Sequence, residues 1–155
     1  MYFIQKIISV ILILVMLSAC SNEEKVLEIK DKSFAETLLI NKVVDNVSGS
    51  SGEPIVIKED QRIIKLLTMV EGMNVKKGDY DKFINKLRIR DSYSFSISDE
   101  EKLTTGTYVA YSFYVLEDGT FFFIQNTGDA IKRYITTKKY PDMLNKIKET
   151  LEIDF

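Results

Sequence analysis

Few side chains in this sequence could do covalent chemistry. Cys20 is the only cysteine, and the chain holds no histidine. The commonest general base and the commonest nitrogen ligand for metals are therefore missing together. A serine or thiol nucleophile would find no imidazole to activate it. One cysteine allows neither an internal disulfide nor a thiolate cluster. Gly49 and Gly52 lack the following Lys-Ser/Thr of a phosphate loop, and no Ser-x-x-Lys, Gly-x-Ser-x-Gly or Asp-x-Asp-x-Asp run occurs. Carboxylates remain, as Glu59-Asp60, Asp99-Glu100-Glu101 and Glu117-Asp118. A carboxylate-based hydrolase needs two acids about 5–9.5 Å apart across its substrate. All three sets fall at predicted turns or helix starts, where solvated acids are ordinary. The sequence thus predicts no catalytic residue, no cofactor and no metal site. A carboxylate hydrolase is the weakest of the alternatives.

Cys20 has a context of its own. Lys6 precedes an eleven-residue apolar run, Ile7 to Leu17, broken only by Ser9. A spanning helix needs about 20 apolar residues, whereas a signal-peptide core needs about 7–15. The run ends in Leu17-Ser18-Ala19-Cys20. This resembles the lipobox of bacterial lipoproteins: a branched apolar residue, two small residues, then cysteine. The resemblance implies cleavage before Cys20 and attachment of diacylglycerol to its thiol. It also implies localisation at the outer face of the cell membrane. Two acyl chains suffice for stable anchoring. A lone thiol outside the cell would otherwise be a liability. Residues 1–19 are then the signal peptide, and 136 residues remain, with 20 basic side chains against 23 acidic ones.

That balance gives a net charge of −3 after cleavage and −2 for the whole chain. No basic excess exists to neutralise a phosphate backbone, so nucleic acid is excluded as a partner class. Residues 20–33 are rich in charge and read as a tether spanning at most about 45 Å. Residues 34–155 read as one domain, a size that supports a real core.

Within that domain, 36–44 and 55–58 read as strands, separated by the Ser/Gly-rich stretch 45–53. Ile63, Ile64, Leu66, Leu67 and Val70 follow helical spacing, and Gly72 ends the pattern. Asp79 heads a shorter helix through Leu87. From Ser92 the period changes to two, as Tyr93, Phe95 and Ile97 alternate with serines. Strands at 107–116, 120–125 and 130–137 follow, with Asp118-Gly119 read as a two-residue hairpin turn and Thr127-Gly128 as the next. Pro141 opens a last helix carrying Met143, Leu144, Ile147 and Leu151. The order predicts an α+β fold: an antiparallel sheet with a four-stranded C-terminal meander and helices packed on one face. Residues 55–155 loosely resemble small lipoproteins of low-GC Gram-positive bacteria. The composition leans the same way, with 17 Lys against 4 Arg and 19 Ile against 4 Ala. No active site comes with that resemblance.

Two-residue turns would put Phe113, Val115, Phe122, Ile124 and Ile131 on the helix-packed face. The opposite face would carry Tyr108, Ser112, Tyr114, Leu116, Phe121, Phe123, Lys132 and Tyr134. Tyrosine is enriched where proteins bind partners. Tyr108, Tyr114, Phe121, Phe123 and Tyr134 are therefore the expected partner surface. The function expected is a membrane-anchored, non-catalytic binding or protein-interaction module. Its partner would be an envelope protein or a wall component. An inhibitor or immunity-type lipoprotein that blocks an envelope protein is the alternative.

Overall fold

The computed structural model describes residues 23–44, 47–48, 53–87, 89–100 and 108–154. Cys20, the apolar run before it and Glu101 lie outside the described residues.

The alternating stretch Tyr93, Phe95, Ile97 becomes strand β6 (Ser92–Ser98), and the other β-rich runs join it in one antiparallel sheet. The remaining strands are β1 (Lys25–Val26), β2 (Thr37–Val44), β3 (Val47–Ser48), β4 (Ile55–Ile57), β5 (Asn74–Lys77), β7 (Tyr111–Leu116), β8 (Phe121–Asn126) and β9 (Ile131–Thr136). Their order across the sheet is β1-β5-β9-β8-β7-β6-β2-β3, with β4 also on the free edge of β2. β6 to β9 are neighbours in sequence and in space, which is the expected C-terminal meander.

Helices α1 (Asp60–Val70) and α3 (Met143–Leu151) keep the apolar stripes read from the sequence. Ile63, Leu66, Leu67 and Val70 of α1 and Leu144, Ile147 and Leu151 of α3 are buried in one core with Phe95, Phe113, Phe121 and Phe123 of the sheet. The Arg62 guanidinium donates to the Leu151 carbonyl and so ties α1 to the end of α3. The short helix α2 (Tyr80–Leu87) departs from the one-face expectation. Its Phe83 and Leu87 pack on the other side of the sheet, against Leu116 and Phe122. The cause is that β8 is apolar on both faces: Phe121, Phe122 and Phe123 are all fully buried. A strand buried on both sides needs a cover on both sides.

The β7–β8 turn differs from the expectation by one residue. Val115 pairs with Phe121, and Phe113 with Phe123. The loop holds three residues, Glu117, Asp118 and Gly119. Gly119 N–H donates to the Leu116 carbonyl at 2.9 Å, and Gly119 has a φ of 80°. This is the three-residue hairpin with its left-handed glycine, which uses the same Asp-Gly pair as the two-residue form. A slip of one residue moves every side chain of the following strand to the other face. Phe121 and Phe123 thus join Phe113 under α1 and α3, while Phe122 and Ile124 join Tyr114 and Leu116 under α2. The next turn also differs from the expectation: Asn126 pairs with Ile131 and Thr127 N–H donates to the Ala130 carbonyl at 3.0 Å, so the turn residues are Gly128 and Asp129 rather than Thr127 and Gly128.

The assignment of 20–33 as a tether is also corrected. β1 pairs with β5, and Leu27 and Ile29 are only 2% and 1% exposed. Glu71, just past α1, accepts the Ile29 N–H at 3.0 Å and the Lys32 ammonium at 2.9 Å. These bonds hold the Glu71 carboxyl below the usual range, the Ile29 amide contributing most. The domain therefore begins near Lys25.

Candidate binding groove

The segment that follows β1 runs along one end of the sheet and builds a wall there. Between that wall and the ends of β8 and β9 lies a groove of about 630 Å³, lined by Leu27, Phe34, Gln125, Asn126, Lys132 and Tyr134 among others. A second hollow of about 450 Å³ adjoins it and shares Lys25, Lys132 and Tyr134 with it. Lys77, Gly78, Ile131 and Arg133 complete the second hollow.

Register explains why these residues meet. Tyr134 lies opposite Phe123 on one side and Lys77 on the other, and Lys132 lies opposite Gln125. Lys25 is opposite Val75 at the outer edge, and its ammonium sits 3.9 Å from the centre of the Tyr134 ring. A cation over a ring face is held by the ring quadrupole, most strongly where water is partly excluded. On the other face of β9, the Arg133 guanidinium lies 5.2 Å from the centre of the Tyr80 ring.

The cations dominate this end of the sheet. Lys25, Lys30, Lys77, Lys132 and Arg133 line the two hollows, against Glu23, Glu28 and Asp31. Lys30 is 3.3 Å from Glu28, and Asp31 accepts the Ser33 amide, which lowers its carboxyl pKa. Lys25, Lys77, Lys132 and Arg133 have no ion pair with any described residue. The hollows are thus positive on a chain whose net charge is −2. Such a site suits an anionic ligand with groups that accept hydrogen bonds.

The five residues expected to form a partner surface are not brought together. Phe121 and Phe123 are fully buried under α1 and α3. Tyr114 faces α2, half-buried with its ring centre 5.6 Å from that of Phe83, and burial raises its hydroxyl pKa. Tyr134 forms the floor of the groove. Tyr108 is exposed beside it and donates its hydroxyl to the Asn126 carbonyl at 2.8 Å. Of the five, only Tyr134 lines the groove, on the α1/α3 side of the sheet rather than the opposite one; Lys132 was expected on the same face as Tyr134 but not among the five, and Lys25, Lys77 and Arg133 were missed. The signal was present as the doublets Lys76-Lys77 and Lys132-Arg133, which only the β5–β9 register places side by side.

The acidic sets are accounted for separately. Asp99 and Glu100 follow β6 and line neither hollow. Asp118 is 2.7 Å from Arg90 and 3.0 Å from Lys139, and its carboxyl also accepts the Thr120 amide. Among the described residues, no three acidic or thiol side chains gather as metal ligands do. No protein-family model matches the chain, and no curated protein or solved structure is significantly similar to it.

Proposed function

We propose that this chain is a lipid-anchored, extracytoplasmic binding module without catalytic chemistry, and that its ligand site is the groove over Tyr134. The Leu17-Ser18-Ala19-Cys20 run supports the anchor. The observation that carries the binding reading is the cluster of Lys25, Lys77 and Lys132 around the half-buried Tyr134 ring, with no acid among the described residues paired to any of the three. Even paired surface charges contribute little to stability, so cations without an acid partner beside an aromatic floor favour recognition over a structural role.

A photoreactive side chain introduced at Gln125 tests this reading in living cells, with Thr68 on the exposed side of α1 as the control position. Adducts formed at Gln125 and not at Thr68 are expected, and Lys132→Glu should remove them. Equal labelling at both positions, or none at Gln125, overturns the assignment of the site.

A further inference from the structure

The end of the sheet that carries the groove is also the end from which the chain leaves toward Cys20. β1 runs antiparallel to β5, which runs antiparallel to β9. Going backward from Lys25, the chain passes Glu23, which lines the second hollow together with Lys77 and Ile131. The β8–β9 loop closes the same end. Four residues separate Lys25 from Cys20, five steps of chain with a reach of at most about 18 Å.

Two apolar side chains stand beside the cations. Val26 and Ile131 are 54% and 52% exposed, at the edges of the two hollows. Tyr108, 40% exposed, is tied to Asn126 next to them. Cations, apolar side chains and a tyrosine on one end are the composition of a surface that meets lipid headgroups. The opposite end of the sheet differs: there Lys139 and Arg90 are both ion-paired to Asp118.

We infer that this end of the sheet rests on the membrane that holds the anchor, with Lys25, Lys77, Lys132 and Arg133 on the phosphates of anionic lipids and Ile131 at headgroup depth. The inference rests on the proposed lipid anchor and names the partner of the proposed groove. The excess of cations within the two hollows, five against three acids, supports it. So does the short chain to Cys20, which holds the cations within reach of the headgroups. Polybasic surfaces beside an anchor are drawn to an anionic leaflet with a strength that decays within a Debye length.

The chain contains no tryptophan, so Ile131→Trp supplies a single fluorescent reporter at an exposed position. The full lipidated protein is inserted by its anchor into neutral phosphatidylcholine vesicles, or into vesicles that also contain phosphatidylglycerol, each with a headgroup-level quencher. Several-fold stronger quenching on the anionic vesicles is expected. It should be lost at about 1 M salt, where the Debye length is about 3 Å, and lost when Lys25, Lys77 and Lys132 are all changed to Gln. Equal quenching on both vesicles, with Cys20 shown by mass spectrometry to be lipidated, overturns the docking and leaves the anchored binding module standing. An unlipidated Cys20 overturns both. Loss of quenching on anionic vesicles when an anionic wall polymer is added leaves the docking standing as the weaker of two contacts. A response to the polymer on neutral vesicles, with none to phosphatidylglycerol, overturns it in favour of the polymer.

Discussion

Asp118 shows how one side chain can fix a hairpin. Its partial burial works against the charged form. The hydrogen bonds from Thr120 and Lys139 and the attraction of Lys139 outweigh that, and its carboxyl pKa falls to about 2. Arg90 adds a 2.7 Å contact from the loop before β6. A folded pKa of about 2 lies below the unfolded value of about 3.9. The stabilisation is therefore present above about pH 4 and is lost as the pH falls toward 2. Asp118→Asn should cost about 2 kcal/mol near pH 7 and much less near pH 2. Denaturant titrations at the two pH values check this, and a cost equal at both would mean that charge is not what matters. Gly119 beside it has no room for a side chain. A Cβ there would come within 2.5 Å of the Pro141 nitrogen and the Tyr140 carbonyl carbon, at a φ of 80°. Gly119→Ala should therefore cost at least about 2 kcal/mol, since neither backbone strain nor the clash with backbone can be relieved by a rotamer change. A thermal shift near zero would show that the 140–141 segment moves freely away from the turn.

At the scale of elements, the long helices and the alternating strand β6 were legible because their apolar residues follow one period each. β8 was not. In Phe121-Phe122-Phe123 both faces are equally apolar, so periodicity cannot choose a register, and Asp-Gly suits both a two- and a three-residue loop. What decides is remote: Asp118 is gripped by Arg90 and Lys139, and Gly119 fits against Tyr140 and Pro141. β5 escaped notice because Val75 is its only apolar residue. β1 escaped because it has two residues, although Leu27 and Ile29 alternating with Glu28 and Lys30 was a strand-like signal inside the charged stretch. The corrected register changes what a truncation should do. Phe122 stacks on Phe83 with ring centres 4.1 Å apart and is fully buried, so Phe122→Ala should cost about 3–5 kcal/mol. Phe123→Ala on the opposite face should cost as much. Tyr114→Ser should fall between these and a surface change, roughly 2 kcal/mol, because its ring is only half-buried against α2. Urea melts of the three variants rank them. Little loss from both Phe122→Ala and Tyr114→Ser would mean that α2 does not cover that face. The groove wall depends on Glu71 in a similar way. Glu71→Ala leaves the Ile29 amide without its acceptor and should raise hydrogen exchange at Leu27 and Ile29 while sparing β6.

For the whole molecule, the distribution of charge matters more than its sum. A chain of net charge −2 places Lys25, Lys77, Lys132 and Arg133, without an ion pair among the described residues, at the end that leads to Cys20, whereas Arg90 and Lys139 at the far end share Asp118. If Cys20 carries the anchor, the proposed docking follows the chain, because the buried Leu27 and Ile29 leave only a few residues of slack between that end of the domain and the lipid. The reading makes separate demands on attachment and on orientation. Cys20→Ser should release the protein from the membrane fraction or leave its precursor uncleaved, and fractionation with an antibody reads either result. Unchanged processing and attachment would remove the anchor from the account. Inserting about ten Gly/Ser residues after Asn22 should leave attachment intact, since the lipid is untouched. It should nevertheless weaken contact of the basic end with the leaflet, because a flexible linker of that length spans about 17 Å and dilutes the local concentration of headgroups around Lys77 and Lys132. Quenching at Ile131→Trp reads this contact. If it is as strong with the long linker as with the native one, the cations bind the leaflet unaided and the short spacing from Cys20 has no role in orientation.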